Sequence, residues 1–138
     1  MKGTDSADTC IVCGADKHRL AYCCKRCKKL IDRVDIRRKP DKEARIKALK
    51  RAWDGQRFHC YYTGVALIED DHRSPLYLTF DHRTPRNEKD IVLAAQLIND
   101  MKSDMSENEF KAVVRQLANY FESGKFDPRV LMLEHWKR

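Results

Sequence analysis

Two Cys-x-x-Cys pairs near the start of the chain constrain its fold more than any other feature. Cys10 and Cys13 form the first pair, Cys24 and Cys27 form the second, and ten residues lie between the pairs. Each pair can present two thiolates from one tight turn, so the two pairs supply the four ligands of a tetrahedral Zn²⁺ site. We therefore expect a zinc ribbon or knuckle that holds one structural zinc ion.

Two neighbouring residues leave this ligand set open. Cys23 replaces Cys24 if the second turn is read one residue earlier, and His18 lies in the loop between the pairs. We interpret His18 as a solvated loop residue. Cysteines at metal-ligand spacing are typical of a reducing compartment, and the first residues lack the apolar stretch of a secretory signal. We therefore expect an intracellular, cytoplasmic protein that is not secreted.

Positive charge is concentrated in one third of the chain. Residues 17–51 include fifteen Lys or Arg against four Asp or Glu, whereas the whole chain has a net charge of +7. Such a cluster favours a polyanionic partner, because neutralised phosphates release counterions. An anionic membrane is the weaker alternative, since no long apolar face accompanies the basic run. No apolar stretch approaches the length of about eighteen residues that a membrane span requires.

The basic region is predicted to form two helices. The first begins near Lys25 and ends at Pro40, because proline cannot continue a helix. The second begins after Asp41, a predicted N-cap, and continues to Trp53. Asp54-Gly55 then breaks the helix and marks a predicted boundary between two parts of the chain.

A strand-like run farther along the chain ends at Asp81 and His82. After a short loop, residues 90–102 read as a helix that carries Asn99 and Lys102 on one face. Carboxylate and amide oxygens are ligands that suit Mg²⁺ or Mn²⁺. A histidine beside such an ion and outside its ligand shell could accept a proton from an attacking water.

The ordered set Asp81-His82, Asp90 and Asn99 resembles the signature of HNH endonucleases, a family of the His-Me finger superfamily whose ββα-metal finger cuts nucleic-acid phosphodiesters. The likeness covers residues 58–110. It implies that His82 is the general base and that Asp81 and Asn99 hold one catalytic Mg²⁺ or Mn²⁺ ion. It also puts Asp90 at the middle catalytic position of the motif, and it implies products with 5′-phosphate and 3′-hydroxyl ends.

The chain departs from the family pattern at that middle position, where the family usually has Asn. Asp90 can accept hydrogen bonds but cannot donate them when it is ionised. Asn87 lies in the same loop and could supply the missing donor, so both residues stay open for this role.

A second departure concerns a further four-Cys zinc site that many relatives have around the finger. Here only Cys60 occupies one of its positions. The other three positions hold Thr63, Ala95 and Ile98. One thiolate cannot hold a tetrahedral zinc ion, so we expect Cys60 to be a small buried residue and the two aliphatic side chains to pack instead.

Three basic residues around the motif are predicted to contact nucleic acid. The forked guanidinium groups of Arg83 and Arg86 could hold phosphate oxygens, and the alternative for both is a surface charge that balances Glu88 and Asp90. Lys102 lies one helical turn from Asn99 and could reach the same phosphate.

The C-terminal part of the chain is predicted to be helical. Ser106 and Glu109 have the spacing of a capping box, and Phe110 begins an apolar series at helical intervals. We expect this helix to pack against the finger as part of the core. Asp127-Pro128 begins a last short helix, for which core packing and a subunit contact both remain open.

These patterns predict an α+β fold in which a small ββα-metal finger packs with C-terminal helices and follows a zinc ribbon or knuckle and basic helices. The predicted function is metal-dependent hydrolysis of DNA phosphodiester bonds, by nicking or by double-strand cleavage. The alternative is a non-catalytic zinc protein that binds nucleic acid through a degenerate finger. We expect DNA as the partner and no membrane, and we leave a homodimer open. The predicted parts are a disordered tail at 1–9, a zinc-binding and basic helical module at 10–53, and a nuclease-like domain at 54–138.

Overall fold

The computed structural model describes residues 8–18, 20–33 and 41–137. Most of the predicted tail at 1–9 lies outside the described residues, and so do residues 34–40. The first basic helix, predicted to end at Pro40, already ends at Ile31, with Asp32 as its C-cap. The elements are α1 (Lys25–Ile31), α2 (Lys42–Ala52), β1 (Leu78–His82), β2 (Ile91–Ala95), α3 (Gln96–Lys102), α4 (Glu107–Ser123) and two 3-10 helices (Pro128–Leu131 and Glu134–Lys137). The predicted α+β class is confirmed.

The sheet has two antiparallel strands, with Leu78 opposite Ala95 and His82 opposite Ile91. All five residues of β2 are buried, because α2 packs against this strand and α3 packs against both strands. Residues 91–95 are therefore a strand and not the first turns of the predicted helix. A short, wholly apolar run fits a strand buried on both faces as well as it fits a helix, and packing decides between them.

The predicted helix starts are confirmed where a side chain caps them. Asp41 accepts a hydrogen bond from the backbone nitrogen of Ala44 at 2.9 Å and so caps α2. Ser106 and Glu109 form a complete capping box at the start of α4. The same helix ends at Gly124, whose φ of 74° is a left-handed conformation that glycine adopts without strain.

One hydrophobic core runs through the predicted boundary at Asp54-Gly55. Buried residues of α1, α2 and β2 belong to a single cluster. The turn itself is present, since Asp54 Oδ1 accepts hydrogen bonds from the backbone nitrogens of Gln56 and Arg57. It brings Trp53 against Phe58, with ring centroids 4.8 Å apart. The turn therefore packs the two parts of the chain together and does not separate two cores.

The C-terminal helix α4 lies mostly outside that core. Among its residues only Phe110 is buried, in a small second cluster with Met105 and Leu133. Val114, Leu117 and Phe121 are exposed, although the sequence pattern predicts them as core residues. Amphipathic spacing marks an apolar face but does not say which surface covers it.

In the part of the chain that the structure describes, no helix combines the length and the apolar content needed to cross a membrane.

Candidate functional site

The four predicted zinc ligands converge at the N-terminal end of the molecule. The sulfur atoms of Cys10, Cys13, Cys24 and Cys27 all lie within 4.8 Å of one another. Cys13 Sγ is 3.7 Å from both Cys24 Sγ and Cys27 Sγ. Four sulfurs bound tetrahedrally to zinc lie about 3.8 Å apart, because each Zn–S bond is about 2.3 Å long. The thiols are therefore spaced to hold one zinc ion.

Local backbone geometry brings each pair of thiols together. Gly14 has a φ of 76° and donates its backbone nitrogen to Cys10 O at 2.9 Å, which closes the first turn. Val12 N lies 3.4 Å from Cys10 Sγ, and Cys27 N lies 3.5 Å from Cys24 Sγ. Burial opposes ionisation of Cys10, but backbone N–H donors outweigh it and lower its pKa to about 6. A thiolate is the form that binds zinc.

The alternatives for the zinc ligands fall outside this cluster. Cys23 is buried, yet it is absent from the group of four that forms among the described residues. Burial and the neighbouring cysteines raise the pKa of Cys23 to about 11. His18 is exposed, and its Nδ1 accepts a hydrogen bond from the backbone of Leu20. Cys60, at the position of the second zinc site of many relatives, is buried as expected.

Asp81 lies inside the molecule and is matched there by two side chains. Its carboxylate accepts a hydrogen bond from Tyr62 Oη at 2.7 Å. Lys102 Nζ lies 3.4 Å from Oδ1 and 3.3 Å from Oδ2 of the same carboxylate. Burial raises the pKa of Asp81, and the Tyr62 and Lys102 contacts offset part of this rise. The carboxylate therefore has a positive counterion from the protein itself.

Lys102 is correspondingly buried, with 1% of its side chain exposed. Besides Asp81, its ammonium group donates to the backbone oxygen of His82 at 2.9 Å. The sequence predicts this lysine as a phosphate contact, whereas the structure brings it into the space between α3 and β1. A buried ammonium is stable only when it is paired and hydrogen-bonded, and Asp81 supplies that pairing.

Asn99 faces the same strand as Lys102 but contacts a different residue. Its Nδ2 donates to Thr79 Oγ1 at 3.1 Å, and Thr79 Oγ1 donates in turn to Ala94 O at 2.7 Å. Thr79 and Asp81 lie two residues apart on one face of β1, a spacing of about 7 Å. Asn99 therefore contacts β1 at Thr79, two residues before Asp81, while the Asp81 carboxylate is held by Tyr62 and Lys102.

His82 is the last residue of β1 and is partly exposed. Consecutive residues of a strand point to opposite faces, so His82 leaves the strand on the side opposite to Asp81. Phe80 shares the His82 face, where the Arg45 guanidinium lies 4.4 Å from its ring centroid.

Asp90 fixes the loop between the two strands. Its carboxylate accepts hydrogen bonds from Arg83 Nε at 2.9 Å and from Thr84 Oγ1 at 2.8 Å. Burial opposes ionisation of Asp90, but the Arg83 and Thr84 bonds outweigh it and lower its pKa. Asn87 supplies a backbone oxygen to Asp90 N, while its side chain accepts from Lys89 N. The Asp90 carboxylate therefore holds the loop by accepting hydrogen bonds from the side chains of Arg83 and Thr84.

The two predicted phosphate-binding arginines differ in their surroundings. Arg83 is tied to Asp90 by the bonds above, and its Nη1 contacts Tyr61 Oη at 3.5 Å. Its backbone oxygen also accepts from Glu107 N, which joins the loop to the start of α4. Arg86 is exposed, with a positive φ of 66°. Arg83 therefore connects parts of the fold, whereas Arg86 presents its charge to solvent.

Several other cations of the basic region also act inside the fold. Arg45 is buried, and its Nη1 donates to the backbone oxygens of Ile31 and Arg33 beyond the end of α1. Arg33 donates to Leu78 O at 2.8 Å, whereas Arg26 pairs with Glu69 at the surface. The exposed Lys or Arg residues of α1, α2 and the turn after them are Lys25, Arg26, Lys28, Lys29, Lys42, Lys47, Lys50, Arg51 and Arg57.

Sequence reasoning missed Tyr62 and Thr79 as parts of this site. Alternation along β1 could have pointed to Thr79, because it is a polar residue on the same face of the strand as Asp81. Tyr62 lies nineteen residues before Asp81, and no local pattern connects the two residues.

Comparisons with known proteins identify no relative of this chain. A scan of family models, a search of curated proteins and a search of solved structures each return no match. The likeness to HNH endonucleases therefore depends on the residues and contacts described above.

Proposed function

We propose that this chain is a metal-dependent endonuclease of the HNH type that hydrolyses DNA phosphodiester bonds. The observation that carries the proposal is a strand–strand–helix unit with Asp81 and His82 at the end of β1 and Asn99 on the facing helix α3. In this reading the unit is a ββα-metal finger. The loop between its strands is held by Asp90, the residue at the middle position of the motif.

Asp81 and Asn99 are the residues that would hold the catalytic Mg²⁺ or Mn²⁺ ion. Their oxygen atoms are hard ligands of the kind these ions prefer. The Asn99 amide nitrogen is taken by Thr79, which leaves the amide oxygen as the ligand atom. The Lys102 ammonium lies where it would repel a second cation, so we propose that it moves away from Asp81 when a metal binds. A bound metal would supply stabilisation of the negative charge on the phosphate and the leaving oxygen.

His82 is proposed to take the proton from the attacking water. A neutral imidazole can act as a general base near neutral pH, because its ordinary pKa is about 6.5. The pairing of His82 with Ile91 in the two-stranded sheet supports a fixed position for the end of β1. The Asp90 contacts fix the next part of the loop, and together they limit the motion of the base.

A basic surface beside the finger supports DNA as the substrate. α2 packs against β2, the strand that follows the loop, and its last turn carries the exposed residues Lys50 and Arg51. Arg86 projects from that loop. We assign phosphate binding to Arg86 and to the exposed cations of α2, and we assign structural roles to Arg83 and Lys102 because protein partners hold both.

A structural zinc ion at the four-cysteine cluster completes the proposal. The Cys27 side chain is fully buried and belongs to the main core together with Leu30 and Leu49. Zinc at this cluster would fix the start of α1 and, through α1, the position of α2. The basic face of α2 would then have a defined orientation relative to the finger.

Cleavage of supercoiled plasmid tests this function. Zinc-loaded protein should cut with Mg²⁺ or Mn²⁺ and not with EDTA. The His82→Ala variant should lose activity by a factor of roughly 10² to 10⁴, the usual contribution of a general base. His72→Ala is the matched control, because His72 is an exposed histidine of a neighbouring loop and should leave the rate unchanged. Equal cleavage by wild type and His82→Ala would rule out the mechanism.

One observation favours a second candidate, a non-catalytic zinc protein that binds nucleic acid. Lys102 already neutralises Asp81, so the finger could be stable without any divalent ion. Titration calorimetry with Mn²⁺ separates the two candidates. Binding that disappears in Asp81→Asn supports the nuclease, whereas tight DNA binding without Mn²⁺ binding supports the second candidate.

A further inference from the structure

Outside the proposed site, the imidazole ring of His59 has a hydrogen-bonding partner at each of its nitrogens. Its Nε2 lies 2.5 Å from Asp54 Oδ2, and its Nδ1 lies 2.9 Å from the backbone oxygen of Gly64. Asp54 begins the turn at residues 54–57 that follows α2. Gly64 ends a second turn at residues 60–64, whose first and last residues share a backbone hydrogen bond of 2.8 Å. The ring therefore connects two turns.

Both partners of the ring can only accept a hydrogen bond. Gly64 offers a carbonyl oxygen, and Asp54 offers a carboxylate. Backbone N–H bonds from Arg57 and Gln56, together with the His59 contact, lower the pKa of Asp54 to about 2, so this carboxyl is ionised near neutral pH. A neutral imidazole has one N–H donor and one acceptor nitrogen. Two donated bonds therefore require a proton on both nitrogens, and the ring in this arrangement is an imidazolium.

The backbone at His59 is fixed independently of the ring. Its nitrogen donates to Ala52 O at 3.0 Å, and the residue forms an isolated antiparallel bridge with Ala66. The neighbouring residues Phe58 and Cys60 are buried in the main core. Loss of the ring proton should therefore break a side-chain contact without unfolding this part of the chain.

The surroundings of the ring favour the charged form. The bond to the Gly64 backbone and the contact with Asp54 raise the pKa of His59 above 6.5, although burial and the positive charge of Arg57 act in the opposite direction. The ring also lines a cavity of about 260 Å³ between the end of α2 and β2. Other side chains that line this cavity are Arg51, Cys60, Tyr61, Val92 and Leu93.

We propose that His59 is a proton-dependent clamp, in which the protonated ring holds Asp54 and Gly64 at once and the neutral ring keeps only one of them. The carboxylate is the stronger acceptor because it is charged. The neutral ring should therefore keep its proton on Nε2, facing Asp54, and release Gly64 O. The released turn carries Tyr62, which donates to the buried Asp81. The clamp goes beyond the proposed nuclease and does not depend on it.

The pH dependence of stability follows from the raised pKa of His59. In the unfolded chain this histidine has its ordinary pKa of 6.5. The stabilisation by the clamp is therefore fully present below pH 6.5, and it is lost as the pH rises through the raised pKa of the folded protein.

Nuclear magnetic resonance of the zinc-loaded full chain tests the clamp, because imidazole ¹⁵N shifts report both the titration midpoint and the nitrogen that carries the proton. Wild-type His59 should titrate above 6.5 and should keep its Nε2 proton when neutral. In Asp54→Asn the side-chain amide can donate to Nε2, so the midpoint should fall to 6.5 or below and the neutral ring should carry its proton on Nδ1.

Asp70→Asn is the matched control, because it removes the same charge from an exposed loop residue. It should leave the His59 midpoint unchanged. A wild-type midpoint at or below 6.5 would overturn the proposal. An equal fall of the midpoint in both variants would also overturn it, since that result would report net charge and not the Asp54 contact.

Urea unfolding at a series of pH values tests the same clamp through stability. Wild type and Asp54→Asn contain the same cysteines, so the titration of the thiols cancels in the difference between their unfolding free energies. This difference should favour wild type below pH 6.5 and should shrink as the pH rises through the His59 midpoint. A difference that stays constant or grows with pH would contradict the clamp.

Discussion

The two candidate metal regions differ in the source of their positive charge. At the cysteine cluster, four thiol sulfurs converge with two Sγ–Sγ distances of 3.7 Å, the spacing that one zinc ion requires. At the finger, Asp81 is already paired with the ammonium group of Lys102. The four thiols of the cysteine cluster can bind a metal ion only if one is added. At the finger, the chain itself supplies the positive charge, which is the ammonium group of Lys102. Under the proposed function, zinc would therefore be required for folding, and the proposed catalytic ion would be required only for activity.

The largest expected effect is the loss of a zinc ligand. Cys27→Ser should abolish zinc binding and cost more than about 5 kcal/mol of unfolding free energy, because structural zinc contributes about 10–16 kcal/mol in small zinc domains. Native mass spectrometry and urea unfolding measure the two effects. Cys23→Ser is the matched control, since Cys23 is buried but lies outside the cluster. Retained zinc in Cys27→Ser would show that the ligands are assigned wrongly.

Removal of the internal cation should have the next largest effect. Lys102→Met leaves Asp81 buried without its counterion, which should cost about 3–5 kcal/mol in the absence of divalent metal. Added Mn²⁺ should recover part of this loss, because the metal can then take the place of the ammonium group. Thermal unfolding with and without Mn²⁺ measures the difference. A variant that Mn²⁺ stabilises no more than wild type would contradict the proposed exchange of cations.

The hydrogen bond from Tyr62 to Asp81 should contribute less. Tyr62→Phe removes a bond of 2.7 Å to a buried carboxylate, and the expected cost is about 1.5–3 kcal/mol. Urea unfolding checks this value. Tyr61→Phe serves as the comparison, because Tyr61 is exposed and its hydroxyl donates to Glu107 and not to Asp81. Equal losses in the two variants would mean that Asp81 does not depend on Tyr62.

The smallest effect should appear in the pH dependence of Asp90. Its pKa lies below the ordinary value of 3.8, so its contribution is present above pH 3.8 and is lost as pH falls through the lowered pKa. Arg83→Met should raise this pKa toward 3.8 and remove about 1 kcal/mol of stability, since both partners still contact water. Carboxyl ¹³C shifts of Asp90 follow the titration. An unchanged midpoint in Arg83→Met would exclude Arg83 as the cause.

Local patterns predict the parts of this molecule that depend on neighbours in sequence. The cysteine spacing identifies the four thiols that the structure brings together, and the caps at Asp41 and Ser106 begin helices as predicted. Each of these features is formed by residues that lie only a few positions apart in the sequence. The same holds for the tight turn at Asp54-Gly55.

Contacts between distant residues account for what the sequence does not predict. Lys102 and Asp81 are 21 residues apart, and only the packing of α3 on β1 makes a lysine that is predicted as a phosphate contact into a buried counterion. The core crosses Asp54-Gly55 because the rings of Trp53 and Phe58 pack against each other across the turn. The exposed stripe on α4 has the same periodicity as a core helix, so its exposure depends on what the rest of the fold can cover.

Anomalous diffraction from crystals of His82→Ala with Mn²⁺ and a short DNA duplex tests the central claim most directly. We predict a zinc peak among Cys10, Cys13, Cys24 and Cys27 and a manganese peak within about 2.2 Å of oxygens of Asp81 and Asn99, with Lys102 moved away from Asp81. A map with zinc at the cysteines and no manganese between Asp81 and Asn99 would contradict the nuclease assignment. It would leave a zinc protein whose finger is stabilised by its own lysine.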